Sequence, residues 1–186
     1  MDIREAQTDD IKRIAKLHAE SWRVAYRGMY RDEYLDGEVF EDRLHVWQER
    51  LTSPAPNQFA IVVEEGKNIA GFACAFGDDD PQRGTLLDNI HVKPEGKRRG
   101  GGTRLIAEVA RWAFREYPAS GLYLWVLEGN LPARRFYERW GAQNADLQEF
   151  MPPGGGSVRS LRYVWPTLAP LLSIDVHVAA RGASDE

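Results

Sequence analysis

The stretch NIHVKPEGKRRGGGTRLI (Asn89–Ile106) begins as an apolar strand and stops at Pro94. It then sets Lys97, Arg98 and Arg99 before Gly100, Gly101 and Gly102, and resumes apolar spacing at Leu105. Glycine loses more conformational freedom on ordering than any other residue, so three in a row need a reason. A nucleotide P-loop is excluded, because the Gly-Lys-Ser/Thr ending is missing. A dinucleotide turn is excluded too, because Leu105 stands where the third glycine should follow Gly100 and Gly102. Two readings survive on local chemistry. One is an empty surface loop. The other is a turn that lets backbone approach an anion at the start of a helix, where unpaired N–H groups carry a positive partial charge.

Outward from this turn the chain alternates strand and helix signals. Thr85 to Val92 reads as a strand, since Pro94 cannot continue a ladder. Leu105, Ile106, Val109, Trp112 and Ala113 make one helical stripe across Thr103–Tyr117, and Gly121–Leu127 (GLYLWVL) is a continuous buried strand. Leu131–Trp140 is a short amphipathic helix, followed by strands at Ala145–Met151 and Val158–Trp165. Upstream, QFAIVVEE (Gln58–Glu65) and NIAGFACAF (Asn68–Phe76) flank Gly66-Lys67 as a hairpin. Asp78–Gly84 reads as a polar loop. Thr8 or Asp9 caps a first helix with apolar positions Ile11, Ile14, Ala15 and Leu17, and a second helix spans Glu41 to Leu51. Between them Glu20–Gly37 reads as a loop, and Thr52–Asn57 (TSPAPN) is a breaker. A strand–helix–strand unit with antiparallel pairs on either side predicts a mixed sheet.

At 186 residues the chain suits one α/β domain over residues 1–165, with a tail from 166 to 186 expected to be partly ordered or in a dimer contact, its stretch SIDVHVAARGASDE (Ser173–Glu186) having no strong pattern and expected to fray. A net charge of −4 does not announce a nucleic-acid partner. Cys74 is the lone cysteine and lies in an apolar run, so it reads as a small buried hydrophobe. The acidic start lacks the basic-then-apolar order of a signal peptide, and no apolar run is long enough to span a bilayer; a cytoplasmic protein without membrane contact is expected. No His or carboxylate cluster has metal-site spacing.

Two blocks then carry a resemblance. NIHVKPEGKRRGGGTRLI resembles the cofactor segment of the GNAT superfamily of N-acetyltransferases, in which a Val-x-Pro-like strand end precedes an Arg/Gln-x-x-Gly-x-Gly/Ala turn. Val92, Pro94, Gly100 and Gly102 match, and Lys97 stands at the usual Arg/Gln position. LWVLEGNLPARRFYERWGA (Leu124–Ala142) resembles the family's later block through Asn130, Ala133, Phe136-Tyr137 and Gly141. ESWRVAYRGMYRDEYLD resembles the start of many bacterial members. The resemblance implies an α+β fold whose central mixed, mostly antiparallel sheet is flanked by helices. It implies acetyl-CoA as co-substrate, no metal, and transfer of acetyl to a primary amine of a small molecule or peptide by direct attack through a tetrahedral intermediate.

The same resemblance implies the site. Ile90, His91 and Val92 would lie along pantetheine; Lys97, Arg98, Arg99, Gly100, Gly101, Gly102 and Thr103 would hold the pyrophosphate; Asn130, Ala133 and Phe136 would line the cofactor. Arg134 and Arg135 are further candidates for the phosphates. Tyr137 would be the acid near the departing sulfur. Trp22, Arg23 and Tyr26, the Met151–Ser157 loop, and Glu128 would face the acceptor. For the base, some members carry a glutamate six residues before the position of Val92, where this chain has Leu86. Asp88 shares the alternation of Leu86, Ile90 and Val92 and is the expected carboxylate. A bulge would instead bring Asn89 and His91 forward, and His91 has a suitable ordinary pKa. Glu128 through water, or water without a single base, stay open. A non-catalytic acyl-CoA sensor needs the glycine turn but not Tyr137, and a simple phosphate-binding protein would prefer ATP. Dimers are common in the family, and the apolar LAPLL stretch could meet a second copy.

Overall fold

Period-two patterning sorts the strand residues into two cores. Ile61 and Val63, and Ala73 and Ala75, pack on one face of the sheet, while Val62, Phe72 and Cys74 pack on the other. The computed structural model describes residues 1–66, 68–93 and 100–174. The strands are β1 Asp2–Glu5, β2 Gln58–Glu65, β3 Asn68–Asp80, β4 Gly84–Val92, β5 Leu122–Leu127, β6 Gln143–Phe150 and β7 Val158–Trp165. The helices are α1 Ile11–Ala25, α2 Asp32–Asp36, α3 Val39–Thr52, α4 Gly101–Glu116, α5 Leu131–Arg139 and α6 Ala169–Leu172. They surround one seven-stranded sheet of order β1-β2-β3-β4-β5-β7-β6. Every pairing is antiparallel except β4 with β5. Leu105, Ile106 and Val109 of α4 cover one face, and Ile14, Leu17 and Trp47 of α1 and α3 cover the other.

Three expectations need correction. Glu20–Gly37 is not a loop: α1 continues to Ala25 and α2 follows, because Trp22, Tyr30, Tyr34 and Leu35 are buried together. Their alternation with charges hides a two-helix corner. Asp2–Glu5, unassigned from its polar composition, pairs with β2, and its Arg4 joins Asp10 and Glu64 at 2.7 Å each. Much of Asp78–Gly84 is strand, since β3 runs to Asp80. There the Tyr123 hydroxyl donates to Asp79 at 2.5 Å, and Arg162 lies 3.5 Å from Asp80. Of the 166–186 tail, residues 166–174 are described and pack on the domain, while 175–186, most of the stretch expected to fray, lie outside the described residues. Leu168, Leu171 and Ile174 are buried against the α4 side, and Arg111 donates to the Ile174 carbonyl at 2.9 Å.

Candidate active site

Two strands that run parallel and then part create the site. β4 and β5 pair only at Thr85↔Leu122 and Leu86↔Tyr123. Beyond Leu86, β4 keeps its partner β3 through Val92, but its other edge faces no strand among the described residues. The wedge between them is a cleft of about 350 Å³ that runs from Gly102 and Thr103 of α4 to Ser21 of α1 and Tyr26 just after it.

The α4 end is built by glycine. Gly100 has φ 76°, in the left-handed region that disfavours side chains, and turns the chain directly into the first helical residues, Gly101, Gly102 and Thr103. Its N-cap residue, Gly100, has no side chain to cap the helix, and among the described residues no side chain accepts from its first N–H groups. An open strand edge leading to an uncapped helix start suits an extended, amide-bearing chain that ends in phosphates. Lys97, Arg98 and Arg99 lie outside the described residues.

Side chains build the other wall. The register of β4 slips against β3 between Leu87, opposite Ala75, and Asn89, opposite Cys74. Asp88 is the extra residue, a β-bulge. Leu87, Ile90 and Val92 therefore belong with the α4-side core, whereas His91 turns to the α1 side. The parity that grouped Asp88 with Ile90 and Val92 fails at this point, and the alternative with Asn89 and His91 turned together is the one found. Arg50 of α3 reaches across, donating to Asp88 at 2.6 Å and to Asn89 Oδ1 at 2.5 Å. The Asp88 carboxylate lines the cleft already committed to an ion pair.

Ile90, His91, Val92, Gly102, Thr103, Asn130, Ala133, Phe136, Tyr137 and Tyr26 all line the cleft. Asn130 also accepts from the Ala133 amide at 3.4 Å, so it caps α5 and turns Tyr137 toward the gap. Tyr137 is 8 % exposed and packs edge-on to Trp165. Burial pushes its phenol well above the ordinary range. Burial also raises Tyr26, with Tyr30 and Tyr137 beside it.

Other expected residues lie elsewhere. Trp22 is buried under the Arg43 guanidinium, 4.3 Å from its ring, and Arg23 donates to the Leu35 carbonyl at 2.9 Å. Neither lines the cleft, and both hold α1 to the helices beside it. Glu128 pairs with Arg159 at 3.1 Å, while Arg134 is occupied by the Glu128 carbonyl at 2.9 Å and by Tyr163 at 3.3 Å. The Met151–Ser157 loop meets α2: Arg31 donates to the Gly154 carbonyl at 3.3 Å, and a methyl group added to Gly154 would come 2.5 Å from Tyr34. Ser21, Trp125 and Arg139 line the cleft without having been singled out. Of these only Ser21, one helical turn after the buried Leu17, could have been suspected from α1 spacing. Cys74 is buried, with its thiol pushed up to about 12.

A profile of the acetyltransferase (GNAT) family matches residues 10–142. The chain is 27% identical over 176 residues to the uncharacterized N-acetyltransferase YuaI of Bacillus subtilis, covering 92% of this chain and 96% of that protein. It is 31% identical over 153 residues to a thialysine N-epsilon-acetyltransferase of Bos taurus, covering 79% and 85%. The PaiA N-acetyltransferase of Thermoplasma acidophilum, solved with coenzyme A, superposes with a TM-score of 0.69 at 18% identity, covering 88% of this chain and 98% of that one. The parted sheet and its cleft are thus those of a GNAT fold. This chain belongs to the GNAT acetyltransferase family and is an acyltransferase.

Among the described residues no group of three or more His, Cys, Asp or Glu has metal-site geometry. No helix among them is long and apolar enough to cross a membrane.

Proposed function

We propose that this protein transfers acetyl from acetyl-CoA to a primary amine. The observation that carries the reading is the wedge itself. An unpaired strand edge, β4 beyond Leu86, leads on one side to the uncapped glycine turn and lies opposite a buried tyrosine. Pantetheine amides can complete the β4 edge, and the pyrophosphate can take the free N–H groups at Gly101–Thr103.

An alkylamine with a pKa of about 10 is mostly protonated at neutral pH and must lose a proton before it attacks. Attack on the thioester carbonyl gives a tetrahedral intermediate whose nitrogen is cationic. Collapse breaks the C–S bond, and the remaining excess proton on nitrogen ends on sulfur. Tyr137 serves that last transfer. Its phenol stays protonated because burial raises it, so it donates to the departing sulfur as charge develops there. A phenol above the thiol range does not ionise outright; it donates and is resupplied from the nitrogen in one motion. Asp88, held by Arg50, offers a carboxylate oxygen at the acceptor end that can accept from an approaching amine N–H.

The test is a panel of amines, including thialysine, lysine, a polyamine and short peptides, with free CoA release as the readout. The likeness to thialysine acetyltransferases puts amino-acid side-chain amines first in that panel. Calorimetry should show acetyl-CoA preferred over ATP; the reverse preference would sink the assignment. Tight acetyl-CoA binding without thiol release for any amine would favour the sensor reading.

A further inference from the structure

Behind the acceptor wall, a buried indole fixes the state of a buried imidazole. Trp47 donates its N–H to His18 Nδ1 at 3.0 Å. An indole nitrogen only donates, so His18 Nδ1 carries no proton and its N–H is at Nε2. His18 is fully buried, and burial, with His91, Arg43 and Arg50 adding to it, holds it well below the ordinary imidazole range. It stays neutral. Its ring lies 4.6 Å from that of His91, tilted by 41°. His91 in turn meets Ser21 Oγ through Nδ1 at 2.8 Å, and both residues line the cleft beside Tyr26 and Asn89.

Resting on the transferase reading above, we propose that Ser21 and His91 are the proton exit for the acceptor amine, with His18 as the neutral ring that positions His91. In the step, one N–H bond of the ammonium breaks and its proton passes to Ser21 Oγ, while the Ser21 hydroxyl proton passes to His91 Nδ1. The amine lone pair is thereby freed for the thioester carbon, and the imidazolium later returns its proton to solvent. The bulge at Asp88 makes this possible, because it is what turns His91 toward α1 and Ser21. Among the described residues, the titratable and charged groups around the pair include His18 from α1, Arg43 and Arg50 from α3, Cys74 from β3, Asp88 from β4 itself, and Tyr26 and Tyr137 lining the cleft.

The experiment pairs kinetics with histidine nuclear magnetic resonance. Acetyl transfer to thialysine, or to the fastest amine of the panel, is followed against pH for the wild type and for His91→Gln, Ser21→Ala and Ser21→Thr. The wild-type kcat should fall on the acid side as His91 takes up its proton, well below the amine's own value. His91→Gln should lower kcat by about 10²-fold and move that limb toward the amine's own value near ~10, with acetyl-CoA affinity unchanged. Ser21→Ala should cost about tenfold and keep the limb, and Ser21→Thr should restore the rate. In the resonance arm, which needs no amine, His91 should carry its proton on Nε2 at about pH 8 and titrate, while His18 holds one Nε2–H tautomer down to about pH 5.

A His91→Gln enzyme with wild-type kcat and an unmoved limb would overturn the relay, as would a His91 whose proton sits on Nδ1 at about pH 8. Failure of the wild type to cleave thioester with any amine would overturn the transferase reading instead.

Discussion

The two walls of the cleft recognise by opposite means. The α4 wall offers backbone: a bare strand edge from Ile90 to Val92 and the uncapped turn at Gly100–Thr103. The α1–α3 wall offers side chains, each held by another: Arg50 on Asp88 and Asn89, Trp47 on His18, Ser21 on His91. Backbone recognition asks only that nothing intrude, so it is written in glycines and a proline. Recognition by side chains asks that distant segments meet, so it is written in contacts between residues dozens of positions apart. On the function proposed above, the co-substrate held by the first wall can stay the same while the second wall changes its acceptor.

Substitutions can break that division, beginning with the shared centre. Tyr137→Phe keeps the ring packed near Tyr163 and Trp165 and removes only the hydroxyl. It should lower kcat by roughly 10²-fold or more, with acetyl-CoA affinity by calorimetry unchanged. On the backbone wall, Gly100→Val forces a β-branched residue to φ 76°, a strain of about 1–2 kcal/mol that shifts the turn. Acetyl-CoA should bind about tenfold more weakly while the acceptor KM holds.

On the side-chain wall, Arg50→Met removes the donor shared by Asp88 and Asn89, together with the guanidinium that lies over the Trp47 and Phe76 rings, and leaves an unbranched apolar chain in their place. The acceptor KM should rise by several-fold, about 1 kcal/mol, and that of acetyl-CoA should not move. Equal shifts in both constants would erase the distinction between the walls.

The smallest kinetic effect should come from outside the cleft. Asp10 is 1 % exposed; burial alone would raise its carboxyl, but Arg4, the Gln7 amide and Arg13 bring it below the ordinary range. Arg4 likewise lowers Glu64. Carboxyls depressed in the folded state contribute stability above their unfolded values near ~4, and that contribution is lost as pH falls through the folded values. Thermal denaturation should show a falling Tm below about pH 4. Asp10→Asn should cost about 2 kcal/mol and flatten that fall, leaving kcat and both KM values unchanged.

The division also explains what could be read from sequence. The glycine turn and the caps around Asn130 are local demands on backbone, and both are visible as residues. The two-helix corner was hidden because Trp22, Tyr30 and Tyr34 alternate with charges, and only packing shows which side each faces. Alternation groups Asp88 with Ile90 and Val92, but strand parity holds only where no bulge intervenes, and a bulge is a property of two strands. Trp22 and Arg23 were expected at the acceptor on resemblance, yet Arg43 and the Leu35 carbonyl occupy them. The Ser21–His91 contact spans seventy positions, a distance that composition and period cannot bridge.

The extra residue in β4 also bears on how the chain tolerates changes of length. In a surface loop, one residue more or fewer is absorbed by slack. Removing Asp88 would leave Leu87 opposite Ala75 and Asn89 opposite Cys74, so strict alternation returns with His91 and Val92 on the faces they already hold, and only the carboxylate partner of Arg50 is lost. Removing Ile90 instead would turn Val92 toward Ser21 and carry the imidazole beneath α4. The bulge absorbs a lost residue as a loop does, whereas one step beyond it a single deletion acts as a frameshift in three dimensions.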